Sequence, residues 1–338
     1  MSMERNSEPA GHSTKTKKKV VIALGGNAII ENGQSGSFEE QLCNIRRTAT
    51  RIASMTTKAS DFEIVILTHG NGPQVGNIAL QQDTASAKVP RQPLHALIAM
   101  TQGQLGYLMQ QALQNEFMKV GLKRPVVSIV TQVVVDKGDP EFFKETPSKP
   151  IGPFYTPEEA RRMAENSQYI ITKVKPSGRR VWRRVVPSPT PLRIVESRVI
   201  TKLVEDGCLV IASGGGGIPV TLDGGGYIGV DGVIDKDLVA GLLGKSIGAS
   251  ILLILTDIDK VKLNFGKPNE VAISELSLEE AKRYLMDGQF LEGSMGPKIK
   301  SSIGFLETGG EVAIIASIDN ANAALHGEAG TRIVSTRV

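Results

Sequence analysis

The sequence predicts one open, mostly parallel α/β sheet interrupted by a hairpin-bearing insertion. Three observations carry this. Short apolar runs recur along the chain, and several empty into polar, glycine-rich turns. Helical segments with one apolar face alternate with these runs, and prolines crowd into residues 136–191. Unbroken apolar runs mark strands buried on both faces, as parallel strands covered by helices are.

In chain order, residues 20–24 (VVIAL) form the first run, which stops at Gly25, Gly26 and Asn27. A helix over residues 39–58 follows, with Leu42, Ile45, Ala49, Ile52 and Ala53 on one face. A second strand at residues 63–68 ends in His69, Gly70, Asn71, Gly72 and Pro73. Strand, helix, strand in this order makes a βαβ unit, so the two strands are expected to be parallel. Helices are expected over residues 73–88 and 94–120, the second carrying Leu97, Ile98, Leu105, Leu108, Met109 and Leu113, and then a strand over 125–135.

Residues 136–191 change texture, with nine prolines and two short alternating strands, 169–174 and 180–186, around Pro176, Ser177 and Gly178. This reads as a hairpin-bearing insertion on the main sheet, suited to a lid. The main pattern then resumes with a helix at 194–205 and a strand at 208–212. A helix opened by Asp235, Lys236 and Asp237 carries Leu238, Val239, Leu242 and Leu243. A strand at 250–255, helices at 278–286 and 297–308, a strand at 312–316 and a last strand near 332–335 complete it.

The bulk numbers bound the function class. A chain of 338 residues, 41% hydrophobic and 22% charged, has ample burial for one large α/β domain. Its net charge of +4 is not gathered into a basic face with interleaved aromatics, so no nucleic-acid partner is expected. No apolar stretch reaches membrane-spanning length, and no membrane association is expected. Two cysteines, Cys43 in a helix pattern and Cys208 in a strand pattern, argue against a disulfide framework or a cysteine zinc site, and a cytoplasmic location is expected. Residues 1–18 are polar, lack an apolar core for a secretory signal, and are expected to be a disordered extension.

Four polar loops, the first three glycine-rich, follow predicted parallel strands: residues 25–27, 69–73, 213–217 and 256–259. Parallel strands put their carboxyl ends on one sheet edge, so these loops are expected to converge on a crevice. Glycines let a ligand approach the main chain, whose N–H groups can bind an anion. Lys236 stands in the first turn of a helix, where the dipole disfavours a cation, and Lys298 beside Pro297 repeats that placement. Two such lysines beside glycine loops point to a polyphosphate.

Other phosphate signatures do not fit. Gly244, Lys245 and Ser246 resemble the end of a P-loop, but Val239 stands where that motif needs glycine. Gly70, Gly72 and Gly76 miss the dinucleotide spacing by one residue. His12, His69, His95 and His326 show no metal-ligand spacing, and His69 reads as a turn residue rather than a base. No serine sits in a nucleophile elbow.

A set of longer strings goes further. VVIALGGNAII (residues 20–30), THGNGPQVGN (68–77), VTQVVVDKGDP (130–140), IGPFY (151–155), ASGGGGIPV (212–220), GVIDKDL (232–238), LTDIDKVKLNFGKP (255–268) and GSMGPKI (293–299) occur in this order. Together they closely resemble the carbamate kinases, a family of the amino-acid kinase superfamily, over residues 19–338.

The resemblance implies a three-layer α/β/α sandwich around an open, mainly parallel eight-stranded sheet, with a small protruding subdomain at about residues 137–190, and a homodimer. It implies reversible, magnesium-dependent phosphoryl transfer, ATP and carbamate giving ADP and carbamoyl phosphate, run toward ATP synthesis in arginine breakdown. Carried over by motif, Gly25, Gly26, Asn27, Gly70, Asn71 and Gly72 would hold the carbamoyl phosphate end. Lys236 and Lys298 would contact the transferring phosphoryl group, with Asp237 orienting them. Ser213, Gly214, Gly215, Gly216, Thr256, Asp257, Phe265, Met295 and Pro297 would border the nucleotide, and Mg2+ would be held mainly by nucleotide phosphates rather than by a protein metal site. Many relatives that phosphorylate amino acids have a lysine where this chain has Ala23; Lys137 is similar to the residue carbamate kinases use instead, and would complete the site on closure of the insertion.

Overall fold

The structure, a computed structural model, describes residues 17–335 apart from 32, 57–59, 166–168, 176 and 292–293. Most of the expected N-terminal extension, residues 1–16, therefore lies outside the described residues. Lys18, placed in that extension by sequence, instead opens β1 (Lys18–Leu24), because its N–H donates to the Asp61 carbonyl at 2.9 Å and its ammonium pairs with Glu311.

After β1, helix α1 (Phe38–Met55) starts at a capping box: Ser37 Oγ accepts the Glu40 N–H and the Glu40 carboxylate accepts the Ser37 N–H. β2 (Phe62–His69) returns parallel to β1. α2 (Gly72–Ala85) and α3 (Leu94–Lys119) lead to β3 (Val126–Ser128) at the sheet edge. The single strand expected over residues 125–135 is broken here. The Thr131 N–H donates to Gln102 Oε1 at 2.7 Å, and its hydroxyl accepts the Ser213 N–H at 3.0 Å. These tertiary bonds turn the chain out of the main sheet into β4 (Gln132–Val135), part of a second sheet.

The segment read as an insertion contains β5 (Lys149–Tyr155), α4 (Pro157–Glu165), β6 (Ile171–Lys173) and β7 (Trp182–Val186). β6 and β7 are the expected hairpin strands, shortened, and β5 adds to them in an antiparallel sheet of order β5-β7-β6. β5 tolerates Pro150 and Pro153 because it is an edge strand, where a missing N–H breaks no ladder.

β8 (Pro191–Ile194), α5 (Ser197–Glu205), β9 (Leu209–Ile211) and the hairpin β10 (Ile218–Asp223) and β11 (Gly226–Gly229) come next. α6 (Lys236–Ile247) and β12 (Ile251–Thr256) precede a second hairpin, β13 (Val261–Leu263) and β14 (Val271–Ile273). β15 (Glu275–Ser277), α7 (Leu278–Met286), α8 (Met295–Glu307), β16 (Val312–Ser317), α9 (Ala321–Leu325) and β17 (Thr331–Val334) close the chain.

The main sheet has eight strands in the order β15-β17-β16-β12-β1-β2-β9-β3, parallel except for β16 against β17. Alternate residues of β1 feed opposite faces. Val20, Ile22 and Leu24 join a core with α1 and α3, whereas Val21 and Ala23 join one with α5, α6 and α8. That alternation is the physical content of a three-layer α/β/α sandwich. All five side chains are fully buried, and burying a Val, Leu or Ile contributes about 1.5–3 kcal/mol each.

A third apolar cluster, including Val75, Ile151, Val134 and Ile218, joins α2 to β5, β4 and β10. There α2 and β5 touch main chain to main chain, since a Cβ on Gly76 would lie 2.0 Å from Gly152 Cα. Tyr169 Oη donates to the Asp83 carboxylate at 2.6 and 2.7 Å, and the Arg184 guanidinium stacks 3.5 Å from the centroid of the Tyr169 ring. The hairpin of the insertion is thereby pinned to α2.

Candidate active site

The register of the parallel strands aligns their carboxyl ends, with Leu24 opposite both His69 and Leu255. The loops that follow are stitched together at that edge. The Gly25 N–H donates to the Leu255 carbonyl at 2.8 Å, the Gly70 N–H to that of Leu24 at 3.3 Å, and Thr68 Oγ1 to that of Ser213 at 3.0 Å. Gly25 must be glycine because a Cβ would meet the Leu255 carbonyl oxygen at 2.7 Å. Asn27 contributes main chain to the short turn Gly26–Ala28; its side chain lies outside the described residues.

The loop after β9 is held from below. Ser213 adopts the left-handed conformation (φ 54°, ψ 36°), uncommon for a residue with a Cβ. Its N–H donates to Thr131 Oγ1 and its carbonyl accepts from Thr68 Oγ1, which fixes the strained geometry. Among the described residues its own buried hydroxyl has no partner. Gly215 follows with φ 68° directly over the Asn71 side chain, 2.2 Å from any Cβ that residue could carry. Asn71 Nδ2 in turn donates to Thr101 Oγ1 at 2.8 Å. Asn71 is therefore the floor on which the glycine loop rests as well as part of the cleft wall.

Two helices aim at this edge. α6 begins at Lys236, with Asp235 as N-cap accepting the Asp237 N–H at 2.9 Å. α8 begins at Met295, so Pro297 is its third residue rather than its first; an N–H in the first turn has no intrahelical partner, and proline forfeits nothing there. The Asp237 carboxylate bridges the two helices. It accepts from Lys236 Nζ at 2.9 Å and from Lys298 Nζ at 2.8 Å, with Asp237 only 3% exposed. Ser301 Oγ donates to the Asp237 carbonyl and ties the same turn to α8.

The electrostatics follow from burial and proximity. Burial opposes ionisation of Asp237, but the ammonium groups of Lys236 and Lys298 outweigh it and hold the carboxyl well below the usual range. Burial pulls Lys236 below the ordinary lysine value against the attraction of Asp237. For Lys298 burial is outweighed by Asp237, and with Asp235 and Asp257 also nearby it is raised. His69 is buried beside them and lowered to about 4, chiefly by desolvation, so it is neutral near pH 7. Its Nδ1 faces the Gly70 carbonyl at 3.0 Å, and a Cβ on Gly214 would meet Nε2 at 2.4 Å. His69 packs the loops and has no path to act as a base.

These elements enclose a cleft of about 240 Å³ lined by Gly26, Gly70, Asn71, Gly72, Gly215, Lys236, Asp237 and Lys298 among others. Of the nucleotide-bordering residues expected from sequence, Thr256 and Asp257 sit at the end of β12, sharing a 3.1 Å hydrogen bond. Phe265 stands 62% exposed in the turn between β13 and β14. Gly25, Ser213, Gly214, Gly216, Met295 and Pro297 lie behind or beside the cleft rather than on its wall.

Lys137 does not line the cleft in this arrangement of the insertion. β4 pairs with β10 with Val134 opposite Val220, and the same register continued puts Lys137 opposite Asp223, where the two charges lie 3.6 Å apart with Lys137 69% exposed. The lysine that does line the cleft from the insertion is Lys149 on β5, 2.6 Å from Asp235 Oδ2. Sequence reasoning missed it, although it stands two residues before the IGPFY string.

Comparison with known proteins agrees with this geometry. The chain matches the amino acid kinase family over residues 18–317. It is 50% identical to the carbamate kinase of Thermococcus kodakarensis over 319 residues, covering 94% of this chain and 99% of that one. Among solved structures, carbamate kinase from Giardia lamblia bound to citric acid superposes with a TM-score of 0.86 at 41% identity, over 95% of this chain and 99% of that one. The same Giardia protein bound to AMP-PNP gives 0.82 at 41% identity, over 95% and 99%. A sandwich of this topology, with an acidic residue bridging two helix-start lysines and near-full-length identity of this order, places the chain in the carbamate kinase family of the amino-acid kinase superfamily.

Proposed function

We propose that the protein transfers a phosphoryl group reversibly between ATP and carbamate, with ADP and carbamoyl phosphate as the other pair. The observation that carries this reading is Asp237 holding Lys236 and Lys298 side by side on the wall of a glycine-lined cleft. Two ammonium groups at helix N-termini suit the oxygens of a phosphoryl group in flight, and fixed donors act without reorganising during the reaction. A carbamate oxygen is already anionic and needs no base, which agrees with a neutral, buried His69.

Lys236, Lys298 and the main chain of Gly215 would hold the nucleotide phosphates, with Ser213, Gly214 and Gly216 shaping the loop behind it; residues 25–27 and 70–72 would hold the acceptor. Magnesium fits as an ion carried by the nucleotide. Among the described residues no cluster of three His, Cys, Asp or Glu is arranged for a metal, and Asp235 and Asp237 are engaged by ammonium groups. When bound, the ion neutralises phosphate charge; positioning of the acceptor and of the phosphoryl oxygens falls to the protein.

The direction we propose is ATP formation, in arginine breakdown in the cytoplasm. The free thiols Cys43 and Cys208 are in keeping with a reducing compartment. No described helix is long and apolar enough to cross a membrane. We further propose a homodimer, for which the exposed Met100 and Tyr107 on α3, and Leu222, Tyr227 and Ile228 on the β10–β11 hairpin, offer apolar surface; light scattering of the purified protein checks it.

The decisive experiment is a coupled assay for ATP formation from ADP, Mg2+ and carbamoyl phosphate. Turnover is expected with this donor, and carbamate is expected to be the acceptor in reverse. ATP use with glutamate, acetylglutamate or a nucleoside monophosphate, and none with carbamate, would overturn the reading.

A further inference from the structure

The acceptor end of the cleft contains an ammonium group for which the two helix-start lysines do not account. Lys149 opens β5, and its Nζ lies 2.6 Å from Asp235 Oδ2, with 28% of its side chain exposed. Asp235 Oδ1 is occupied as the N-cap of α6, accepting the Asp237 N–H at 2.9 Å. Both Lys149 and Asp235 line the cleft, together with Gly70, Asn71, Gly72 and Gln74.

The lysine is carried on a fixed support. Pro150, the next residue, places its carbonyl 3.7 Å from where a Cβ of Gly72 would stand, and Gly152 abuts Gly76. Strand β5 is therefore docked against the first turns of α2, the helix that begins at the acceptor loop. A lysine ammonium has three donors, and among the described residues Asp235 accepts one of them. The others are available to a ligand in the cleft that Lys149 lines. Asp235 keeps the flexible stem in place before any ligand arrives, which reduces the ordering cost of binding.

We propose that Lys149 recognises the acceptor: its ammonium, held by Asp235, binds the carboxylate oxygen of carbamate that does not react, while Lys236 and Lys298 hold the phosphoryl group. This assignment rests on the carbamate reading above. In the forward reaction the other carboxylate oxygen forms the new O–P bond, the bond from the γ-phosphorus to the β,γ-bridging oxygen breaks, and ADP leaves with that electron pair. No proton moves. The unreactive oxygen becomes the carbonyl of carbamoyl phosphate and keeps its hydrogen bond from Lys149. Recognition of the acceptor would then draw on the docked strand of the insertion, whether or not closure also brings in Lys137, which here lies beside Asp223.

The test measures Lys149→Met, Lys149→Gln and Lys149→Arg in the ATP-forming direction, varying carbamoyl phosphate and ADP separately. A lost hydrogen bond to a charged group predicts kcat/KM for carbamoyl phosphate lowered roughly ten- to hundredfold in Lys149→Met. The KM for ADP is expected to stay within about twofold, because uniform binding of the nucleotide is untouched. Lys149→Arg is expected to recover most of the loss. Should Lys149 act only by fixing Asp235, Lys149→Met and Asp235→Asn would lose equally, the double variant would lose no more, and ADP affinity would fall with them; that pattern overturns the assignment. An active wild type with unchanged Lys149→Met kinetics overturns it alone, whereas an inert wild type overturns the carbamate reading and this assignment together. Thermal unfolding accompanies each variant, and if Lys149→Met fails to fold, Lys149→Gln decides.

Discussion

Replacing Gly76 by alanine sets two effects of known sign against each other. In an isolated helix the change would stabilise by about 1 kcal/mol, since alanine is the better helix former. In this protein the new methyl would lie 2.0 Å from Gly152 Cα and 2.1 Å from its nitrogen. Main chain cannot rotate out of the way as a side-chain tip can. To restore ordinary carbon contact at ~3.5 Å, β5 must retreat from α2 by roughly 1.5 Å. Overpacking of this kind costs about 1–3 kcal/mol, so the helix-propensity gain is offset and the net effect is destabilising. The larger consequence is geometric. Lys149 lies three residues before Gly152 on the same strand, so a shift of β5 disturbs its 2.6 Å pairing with Asp235. A misplacement of about 1 Å at a catalytic constellation can cost roughly a hundredfold in rate. Gly76→Ala is therefore expected to lose about that much activity while its melting temperature falls by only a few degrees. The coupled ATP-forming assay and a thermal melt measure the two quantities on one preparation. Full activity with an unchanged or raised melting temperature would refute the claim that α2 and β5 act as one rigid support.

Lys236→Ala and Lys298→Ala are each expected to lower kcat by at least about a hundredfold with secondary structure intact, as removal of a preorganised donor to developing charge does, and near wild-type turnover in either would remove that lysine from the chemistry. Asp237→Asn is expected to move the alkaline limb of the pH–rate profile to lower pH: burial already pulls Lys236 below the ordinary lysine range, Asp237 pushes it back up, and without that carboxylate the ammonium loses its proton sooner. An unchanged limb would refute that coupling. For His69 the linkage has a definite sign. Its folded value of about 4 lies below the ordinary 6.5, so the unfolded chain takes the proton first and stability is lost as pH falls from 6.5 through 4. The shift corresponds to about 3 kcal/mol, and His69→Gln should flatten the acid slope of denaturant-unfolding free energy by about that much, whatever the substitution costs at neutral pH.

The central strands were legible because nothing local competes with their burial. β1, β2, β9, β12 and β16 each carry an unbroken apolar run, and those of β1, β2 and β9 lead into glycine turns. Short strands with polar or glycine-rich sequence were not legible. β10 with β11, and β13 with β14, owe their pairing to hairpin partners and carry too little apolar periodicity to declare themselves. β5 was hidden by its prolines, and the break after β3 depends on Gln102 and Ser213, which are remote in sequence from Thr131. The same distinction runs through the site. Lys236, Asp237 and Lys298 stand out as charges at helix starts, a local signal. Lys149 meets Asp235 across 86 positions of chain, and no spacing rule links them. Lys137 is expected at the site only on closure of the insertion; in the arrangement described, the β4–β10 register sets it beside Asp223.

The arrangement of charge explains why acidic residues occupy a site built for anions. Lys149, Lys236 and Lys298 are three ammonium groups on one cleft wall, and Asp235 and Asp237 are the two carboxylates between them, leaving one positive charge in excess. Three like charges, partly desolvated and without counterions, would shed protons, as the downward pull of burial on Lys236 shows. The carboxylates keep the cations charged while the cleft is empty and fix where they stand. Each carboxylate is itself anchored to the start of α6: Asp235 caps the helix, and Asp237 lies in its first turn. A nucleotide and an acidic acceptor bring more negative charge than one surplus cation can balance, so substrate oxygens must share the ammonium groups with Asp235 and Asp237. Each lysine has donors beyond the one its aspartate engages, and that surplus of hydrogen-bonding capacity is what the carboxylates preserve. A site of bare lysines would bind anions in many orientations; lysines leashed to two aspartates on one helix bind them in few, and in-line phosphoryl transfer needs few.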